Sequence, residues 1–194
     1  MRKIILASTS PRRKELLEQI GLEFLIEPSG YEEDMNQKMS PEELARFLSH
    51  QKALDVAEKH KGEDSLVIGA DTFIAFEGGV LGKPHTAEKA KEMLSAMSGK
   101  AHSVLSGFTI IDTKDDKIIS KAVETRVYFR DLSEEEINAY IASGEPLDRA
   151  GAYEIQGLGG LLVYKIEGDY TNIVGLPVTE VALALKEFGV NILK

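Results

Sequence analysis

The sequence predicts an α/β protein in which helices pack on the faces of a mixed β-sheet around a central cleft. Short apolar runs typical of buried strands alternate with helical patterns that begin at capping residues. Two further segments have the alternation and the turns of β-hairpins, which add antiparallel strands to parallel ones. The chain has 194 residues, 43% of them hydrophobic, which is enough to bury one sizeable core. We therefore expect one domain over residues 1–194, with two lobes around the cleft as a variant of that fold.

In the first part of the chain, strand patterns and helix patterns follow one another. Pro11 suits the first position of a helix that has Ser10 as its cap and Gly21 just beyond its end. Further on, Ser40 and Glu43 form a capping box ahead of a second helix. The predicted elements are a strand at 4–7, a helix from 11, a strand at 22–26, a long polar loop, and a helix from 41 to about 59.

The middle and the end of the chain have the patterns of two hairpins and three helices. An apolar strand that begins at Leu66 ends at Asp71, and the glycines at 78–79 mark the turn of the first hairpin. The second hairpin turns at 115–116, and a capping box at Ser133 begins a later helix. The remaining predicted elements are helices at 87–97, 133–142 and 178–188 and strands at 103–111, 118–130 and 161–168.

The composition excludes several classes of function. A formal net charge of −9 argues against a nucleic-acid backbone or an anionic membrane surface as the main partner, because both favour positive proteins. The chain has no cysteine, which excludes disulfides, thiolate metal sites and cysteine nucleophiles. Its first residues hold too few apolar side chains for a signal peptide, and no run approaches the roughly 20 residues of a membrane span. We expect a soluble cytoplasmic protein.

A pair of arginines stands where a helix normally prefers acids. Arg12 and Arg13 fall in the first turn of the first predicted helix, at the positive end of its dipole, where they add like charge unless an anion binds. Ser8 and Ser10 supply hydroxyls in the same turn, so the stretch ASTSPRR is typical of a phosphate cradle. A solvated arginine pair behind a serine cap accounts for the same residues equally well.

Two lysines are candidate cations for such a site. Lys52 is four residues from both Leu48 and Val56, which places it along the apolar stripe of its predicted helix. Its amine is therefore buried, turned toward a cleft, or extended to water along the surface. Lys83 follows Gly82, which permits the close approach of a ligand, and precedes a proline that restricts the turn. By themselves, the glycine and the proline beside Lys83 are weak evidence for a ligand-binding role.

Asp71 and Glu33 are the candidate acids. Burying a carboxylate at the end of an apolar strand costs free energy unless it meets a cation, a metal or hydrogen-bond donors. The alternative for Asp71 is a structural one, in which it caps a turn through Thr72. Glu33 lies in the polar loop, where an exposed glutamate is the ordinary case. It becomes a candidate site residue only together with Asp71. Two carboxylates can share a hard divalent cation, and the nearby positive side chains suit phosphates. This combination indicates polyphosphate chemistry.

The glycine-rich segment 144–160 has the composition of a loop that folds closely around a ligand, and it contains Gln156. Its GLGG stretch lacks the strand and helix context of a dinucleotide fingerprint. The Walker, HExxH and GxSxG patterns are absent as well, which leaves P-loop, zinc-protease and hydrolase-triad interpretations without support.

Several ordered motifs resemble the Maf-type nucleoside triphosphate pyrophosphatases, also described as septum formation inhibitors. The resemblance covers almost the full length. The motifs are ASTSPRRKELL at 7–17, Glu32-Glu33, Lys52-Ala53, GADT at 69–72, LGKP at 81–84, Ser98-Gly99 with His102, LDRAGAYEIQG at 147–157 and NIVGLP at 172–177. The resemblance implies the Maf/ITPase-like fold and hydrolysis between the α and β phosphates, which yields a monophosphate and pyrophosphate.

The resemblance also implies roles for individual residues. Asp71 is the proton acceptor and Glu33 a metal-side carboxylate, although the division of metal binding and proton transfer between the two stays open. The implied phosphate-binding residues are Arg13, Lys52, Lys83 and Ser8. Arg12, Thr72 and Gln156 match the branch of the family that favours dTTP and UTP rather than 7-methyl-GTP, and a glutamine suits the O4/N3 edge of a pyrimidine.

The implied cofactor is a divalent cation, Mg²⁺ in the first place, with Mn²⁺ or Co²⁺ as substitutes. The expected partners are dTTP and UTP, without nucleic acid or membrane, and a homodimer is compatible with the family. House-cleaning of the nucleotide pool is one expected task, and removal of modified pyrimidine nucleotides and division control stay open beside it. The second hypothesis is a nucleotide-binding regulator of cell division that holds its ligand without turnover.

Overall fold

The structure is a computed structural model that describes residues 2–32, residue 34 and residues 37–193. These residues form an α/β fold, which confirms the predicted class. The strands are β1 (Lys3–Leu6), β2 (Leu25–Ile26), β3 (Ser65–Phe76), β4 (Gly79–Leu81), β5 (Ala101–Asp112), β6 (Ile118–Phe129) and β7 (Val163–Glu167). The helices are α1 (Pro11–Gln19), α2 (Pro41–Ala57), α3 (Ala87–Met97), α4 (Glu134–Ala142), α5 (Tyr170–Val174) and α6 (Val178–Lys186). Single 3₁₀ turns lie at Glu58–His60, Glu145–Asp148, Ala150–Ala152 and Leu158–Leu162.

The strands of the described residues lie in one seven-stranded sheet, in the order β2-β1-β3-β5-β6-β7, with β4 paired to β3. β1 is parallel to β2 and to β3, and Ile5 lies opposite Leu25 on one side and Val67 on the other. β4 is antiparallel to β3, and β7 is antiparallel to β6. The sheet is therefore mixed, as the strand and hairpin patterns predicted.

The chain divides into two compact units. The first comprises Met1–Thr72, Ser106–Val123 and Gly175–Lys194, and the second comprises Phe73–Leu105 and Glu124–Val174. Each unit has an apolar cluster of its own. Over the described ranges, the structure contains no helix with both the length and the apolar character that a membrane span requires.

In the first unit, α2 packs on the parallel strands. Its predicted capping box is present: the Ser40 N–H donates to the Glu43 carboxylate at 2.9 Å, and the Glu43 N–H donates to Ser40 Oγ at 3.3 Å. The helix ends at Ala57 and is followed by the 3₁₀ turn to His60, which agrees with the predicted end near residue 59. The fully or almost fully buried residues that join it to the strands are Ile5, Ala53, Val56 and Val67.

In the second unit, the helix predicted at 87–97 is confirmed as α3. The β3–β4 hairpin turns at Glu77 and Gly78, one residue earlier than the predicted pair of glycines. Both turn residues have positive φ, 47° and 80°, as a two-residue turn that follows the twist of the strands requires. Phe76 pairs with Gly79, so the register of the strands decides the position of the turn.

β3 and β2 differ most from their predicted bounds, whereas the other predicted strands differ by one or two residues at their ends. β3 does not end at Asp71, because the strand continues to Phe76 and pairs with β4 through Ile74 and Leu81. The prediction was wrong because Asp71 interrupts the apolar run, whereas the length of a strand depends on whether a neighbour accepts its hydrogen bonds. β2 is shorter than predicted, since its pairing with β1 covers only Leu25–Ile26.

His102 is a core residue of the second unit. It is 3% exposed, and its Nε2 is hydrogen-bonded to the Tyr153 hydroxyl at 2.9 Å. The rings of Phe129 and Tyr153 meet it edge-on, with centroids 4.9 and 5.3 Å away. Burial lowers the pKa of His102 from 6.5 to about 4, because the apolar surroundings disfavour the charged ring.

We expect His102 to make the fold sensitive to acid. Between pH 6.5 and 4 the unfolded chain binds a proton at His102 that the folded chain excludes, so the stabilisation is complete above pH 6.5 and falls as the pH falls. At pH 5 the lost free energy of unfolding is about 2 kcal/mol. Urea unfolding of the wild type and of His102→Gln at pH 7.5 and pH 5 measures it.

The matched control is His50→Gln, which removes a partly buried histidine from α2. We expect this variant to keep the wild-type loss of stability in acid, whereas His102→Gln loses about 2 kcal/mol less than the wild type between the two pH values. Equal pH dependence in His102→Gln and the wild type would show that His102 is not the acid-sensitive group.

Candidate active site

A buried ion pair joins α2 to β3 in the first unit. Lys52 Nζ donates to Asp71 Oδ1 at 2.6 Å, and the two side chains are only 13% and 7% exposed. Leu48 and Val56, one helical turn on either side of Lys52, are fully buried, as the apolar stripe predicted. The lysine therefore does not extend to water. The turn-cap alternative for Asp71 is wrong as well, because the residue lies inside a strand.

Gly69 allows the helix to come close enough for this pair. Gly69 and Asp71 are two residues apart in β3, so both face the same side of the sheet, toward α2. A Cβ atom at Gly69 would overlap the Ser49 carbonyl oxygen and lie 2.5 Å from the Ala53 nitrogen. The backbone of α2 thus rests directly on the backbone of β3, with Lys52 between these two contacts in the helix.

The same helix lies equally close to β5. A Cβ atom at Gly107 would overlap the carbonyl group of Ala45 and lie 2.9 Å from the Arg46 nitrogen. Ser49 Oγ and Thr109 Oγ1, both buried, share a hydrogen bond of 3.0 Å. Two strands of the sheet therefore hold α2 at a fixed distance, and this fixes the position of the Lys52 side chain.

A second group of contacts surrounds Arg13 at the start of α1. Its Nε donates to the Gly175 carbonyl oxygen at 3.0 Å, Nη1 to Ser8 Oγ at 3.1 Å, and Nη2 to Thr72 Oγ1 at 3.4 Å. Ser8 Oγ also accepts the Ser10 N–H at 3.2 Å. Three neutral oxygens accept these hydrogen bonds from Arg13, so the solvated-pair alternative is wrong for this residue.

Ser10 occupies the predicted N-cap position of α1, but its side chain makes no capping hydrogen bond. Its backbone N–H is instead directed to the preceding serine, Ser8. Arg12, the other predicted cation of this turn, is partly exposed in the first turn of α1. The first turn of the helix contains no acidic residue, so the positive end of its dipole favours an anion from elsewhere.

The Thr72 hydroxyl connects the residues around Arg13. It lies 3.0 Å from the Gly175 carbonyl oxygen, which can only accept, so Thr72 donates to Gly175. Ser106 Oγ, 2.7 Å away and fully buried, then donates to Thr72. Sequence reasoning missed Ser106, because a serine within an alternating strand carries no local signal. Gly175 was noted in the sequence only as part of the motif NIVGLP at 172–177.

Two predicted site residues, Lys83 and Gln156, lie in the second unit. Lys83 Nζ donates to Asp148 Oδ1 at 2.7 Å, and the side chains are 50% and 71% exposed. A pair this exposed contributes little to stability, so the lysine can exchange its partner for a ligand at small cost. Gln156 is exposed in the turn that follows Glu154.

The first unit brings most of the predicted residues together in two groups. Lys52 and Asp71 form one, and Ser8, Arg13 and Thr72 form the other; β3 links the groups, because Asp71 and Thr72 are consecutive. Lys83 and Gln156 belong to the second unit. Glu33 lies outside the described residues, so its role stays a prediction.

The carboxylates among the described residues suit a hard cation that is held by few protein ligands. No cluster of three or more histidine, cysteine, aspartate or glutamate side chains among them is arranged as a metal site. Mg²⁺, however, is often held by one or two carboxylates, with substrate phosphates and water as its other ligands. One oxygen of the buried Asp71 carboxylate accepts the Lys52 amine, and its other oxygen fits that mode of binding.

Comparison with known proteins gives a match over almost the whole chain. A family model described as "Maf-like protein" matches residues 3–188. The dTTP/UTP pyrophosphatase of Alkaliphilus oremlandii is 48% identical over 194 residues, 100% of each chain. The dTTP/UTP pyrophosphatase of Bacillus cereus strain ZK / E33L is 49% identical over 192 residues, 99% of this chain and 98% of the relative. That of Methanococcoides burtonii is 48% identical over 193 residues, with the same coverage.

Proposed function

This chain belongs to the Maf-like protein family, and on that premise we propose that it is a nucleoside triphosphate pyrophosphatase that hydrolyses dTTP and UTP. The observation that carries the proposal is the buried Lys52–Asp71 pair, directly followed in β3 by the residue that contacts Arg13. A buried carboxylate and cationic side chains therefore lie in one compact unit. The relatives of this chain are named for the proposed activity.

In the proposed reaction, a water oxygen forms a bond to the α-phosphorus, and the bond from that phosphorus to the bridging oxygen breaks. Asp71 accepts the proton of the water, and pyrophosphate leaves. Lys52 orients the Asp71 carboxylate through Oδ1 and supplies positive charge beside it. Arg13, Ser8 and Lys83 are proposed to bind the phosphates, and Arg12 and Gln156 to select the base. The resemblance assigns Thr72 to base selection as well, but its contacts with Arg13 and Gly175 favour a role in holding Arg13.

A divalent cation belongs to the proposal, Mg²⁺ in the first place and Mn²⁺ or Co²⁺ as substitutes. When bound, such a cation neutralises charge on the phosphate oxygens. Asp71 and Glu33 are the residues proposed to hold it. Asp71 would contribute the oxygen that does not accept the Lys52 amine, and the contribution of Glu33 rests on the family resemblance.

The test is release of pyrophosphate from UTP and dTTP in the presence of Mg²⁺, with CTP, GTP and 7-methyl-GTP as competing substrates. We expect monophosphate and pyrophosphate in equal amounts, a preference for UTP and dTTP, and loss of turnover with EDTA that added Mg²⁺ restores. Tight binding of UTP without pyrophosphate would instead favour the nucleotide-binding regulator. A cytoplasmic location, a homodimer and the house-cleaning task stay predictions.

Thr72→Val tests how Thr72 acts. The valine removes the hydroxyl that contacts Arg13, Ser106 and Gly175 but keeps the shape of the side chain. We expect kcat/KM for UTP and for GTP to fall by about tenfold each, because the loss of these hydrogen bonds lets Arg13 move away from the phosphates of either substrate. Steady-state kinetics with both nucleotides measures this.

Thr72→Ser is the matched control, since it keeps the hydroxyl, and we expect kcat/KM within about threefold of the wild type. If Thr72→Val lowers kcat/KM for UTP but not for GTP, Thr72 contacts the base directly and does not act through Arg13.

A further inference from the structure

The glycine-rich stretch around Gln156 is held by the carboxylate of Glu145. Its Oε1 accepts the Gly159 N–H at 2.9 Å and the Tyr140 hydroxyl at 2.7 Å, and its Oε2 accepts the Leu158 N–H at 3.0 Å. One side chain therefore fixes two consecutive backbone amides just after Gln156. All five residues lie in the second unit.

The segment before Gln156 is held by the same pair of side chains. The hydroxyl of Tyr140, which donates to Glu145, also accepts the Glu154 N–H at 3.1 Å. Arg149 Nε donates to the Glu154 carboxylate at 2.7 Å. Gln156 is exposed in a short turn. The backbone on both sides of this turn is hydrogen-bonded to the Tyr140–Glu145 pair.

The charge state of the pair supports these contacts at neutral pH. Burial acts to raise the pKa of Glu145, but the hydrogen bonds from Gly159, Tyr140 and Leu158 outweigh it and lower the pKa. The carboxylate is therefore ionised and accepts three hydrogen bonds. Burial, together with the bond to Glu145, raises the pKa of Tyr140, so its hydroxyl keeps the proton that it donates.

The glycines of this segment make room for the two side chains. A Cβ atom at Gly157 would lie 2.6 Å from the carboxylate carbon of Glu145. A Cβ atom at Gly159 would lie 2.6 Å from the Tyr140 hydroxyl oxygen and 2.7 Å from the Glu154 carbonyl oxygen. These glycines therefore serve contacts within the protein. The sequence pattern had indicated a loop folded around a ligand.

We propose that Glu145 and Tyr140 are positioning residues that hold the turn of Gln156 in the shape needed to select a pyrimidine. This inference rests on the proposed function. Because the pair contacts the backbone on both sides of Gln156, its loss releases the turn, while Asp71, Arg13 and Ser8 lie in the first unit and make none of these contacts. The effect must therefore appear in substrate binding and selectivity.

The experiment compares Glu145→Gln and Tyr140→Phe with the wild type, using steady-state kinetics with UTP and GTP in Mg²⁺. The glutamine places an amide N–H₂ opposite at least one of the donors, and the phenylalanine removes the shared hydroxyl while keeping the buried ring. For each variant we expect KM for UTP to rise about tenfold and kcat to stay within about threefold. The preference for UTP over GTP falls by a similar factor.

A double-variant cycle separates positioning from general loosening of the fold. If Glu145 acts through Gln156, Glu145→Gln adds little to the loss of preference caused by Gln156→Ala. Full addition of the two effects would overturn the proposal, and so would wild-type KM and preference in both Glu145→Gln and Tyr140→Phe. The two substitutions are made in separate variants, so failure of one variant to fold leaves the other.

Matched controls come from a second tyrosine–glutamate pair of the same unit. The Tyr128 hydroxyl donates to Glu167 at 2.6 Å across the exposed β6–β7 pairing, and this hydrogen bond joins the two strands and not the backbone around Gln156. We expect Tyr128→Phe and Glu167→Gln to keep wild-type KM and preference. Absence of wild-type turnover overturns the proposed function and this inference together, whereas normal turnover with unchanged selectivity in the variants overturns only the inference.

Discussion

Replacement of Asp71 by asparagine is expected to lower kcat for UTP by about 10²- to 10⁴-fold in a protein that remains folded. Asparagine has the same shape and keeps an oxygen that accepts the Lys52 amine, so the contact between α2 and β3 survives. Its amide does not take up the proton of the attacking water. Pyrophosphate release under saturating UTP measures the loss, and circular dichroism checks the fold.

The matched control is Asp112→Asn, which changes another buried aspartate of the first unit. Asp112 is 3% exposed and pairs with Arg2. We expect this variant to lose stability but to keep kcat within about threefold, because no proposed step uses that carboxylate. Near-normal turnover in Asp71→Asn would show that Asp71 is not the proton acceptor.

Titration with Mg²⁺ addresses the division of roles between Asp71 and Glu33. If Asp71 mainly holds the cation, a high concentration of Mg²⁺ restores turnover in Asp71→Asn by mass action. If it accepts the proton, turnover stays low at every concentration. We expect the second result, since the Lys52 amine already occupies one oxygen of this carboxylate.

Replacement of Gly69 by alanine is expected to lower the free energy of unfolding by about 2–4 kcal/mol and to reduce kcat at the same time. The added methyl group overlaps the Ser49 carbonyl oxygen and the Ala53 nitrogen, which are backbone atoms of a helix and cannot rotate away. α2 must therefore shift away from β3. The shift weakens the packing between them and lengthens the contact between Lys52 and Asp71. Urea unfolding and UTP turnover measure the two effects.

Gly79→Ala is the control for this substitution. A Cβ atom at Gly79 lies 3.8 Å from the nearest atom, the Phe76 carbonyl oxygen, which is an ordinary contact. We expect a change in the free energy of unfolding within about 0.5 kcal/mol and wild-type turnover. Wild-type stability in Gly69→Ala would contradict the direct contact between α2 and β3.

Sequence reasoning predicted the helices well where a few neighbouring residues determine their ends. The capping boxes at Ser40 and Ser133 each satisfy backbone groups within four residues, and both helices begin where those boxes predicted. The first hairpin turn was one residue off, because Glu77 adopts a positive φ that its residue type disfavours. Pairing of Phe76 with Gly79 across the strands decides that conformation.

The candidate site was predictable where a residue is unfavourable in its local pattern. A lysine on an apolar stripe, an aspartate after an apolar run and arginines in a first helical turn each need a partner, so Lys52, Asp71 and Arg13 could be selected from sequence. Ser106, Tyr140 and Glu145 could not be selected, because each is an ordinary residue in its own pattern. Only the contacts that these residues make in the folded protein identify them as candidates.

The sequence by itself determined the fold class, the start of the capped helices and the charged residues that require partners, since these depend on periodicity, capping and local charge. The tertiary structure alone decided which groups meet: Arg13 contacts the Gly175 carbonyl 162 residues away, and Thr72 contacts Ser106 34 residues away. No local free-energy preference encodes such pairs, because a hydrogen bond between distant residues forms only after the core has packed and brought the strands and helices together.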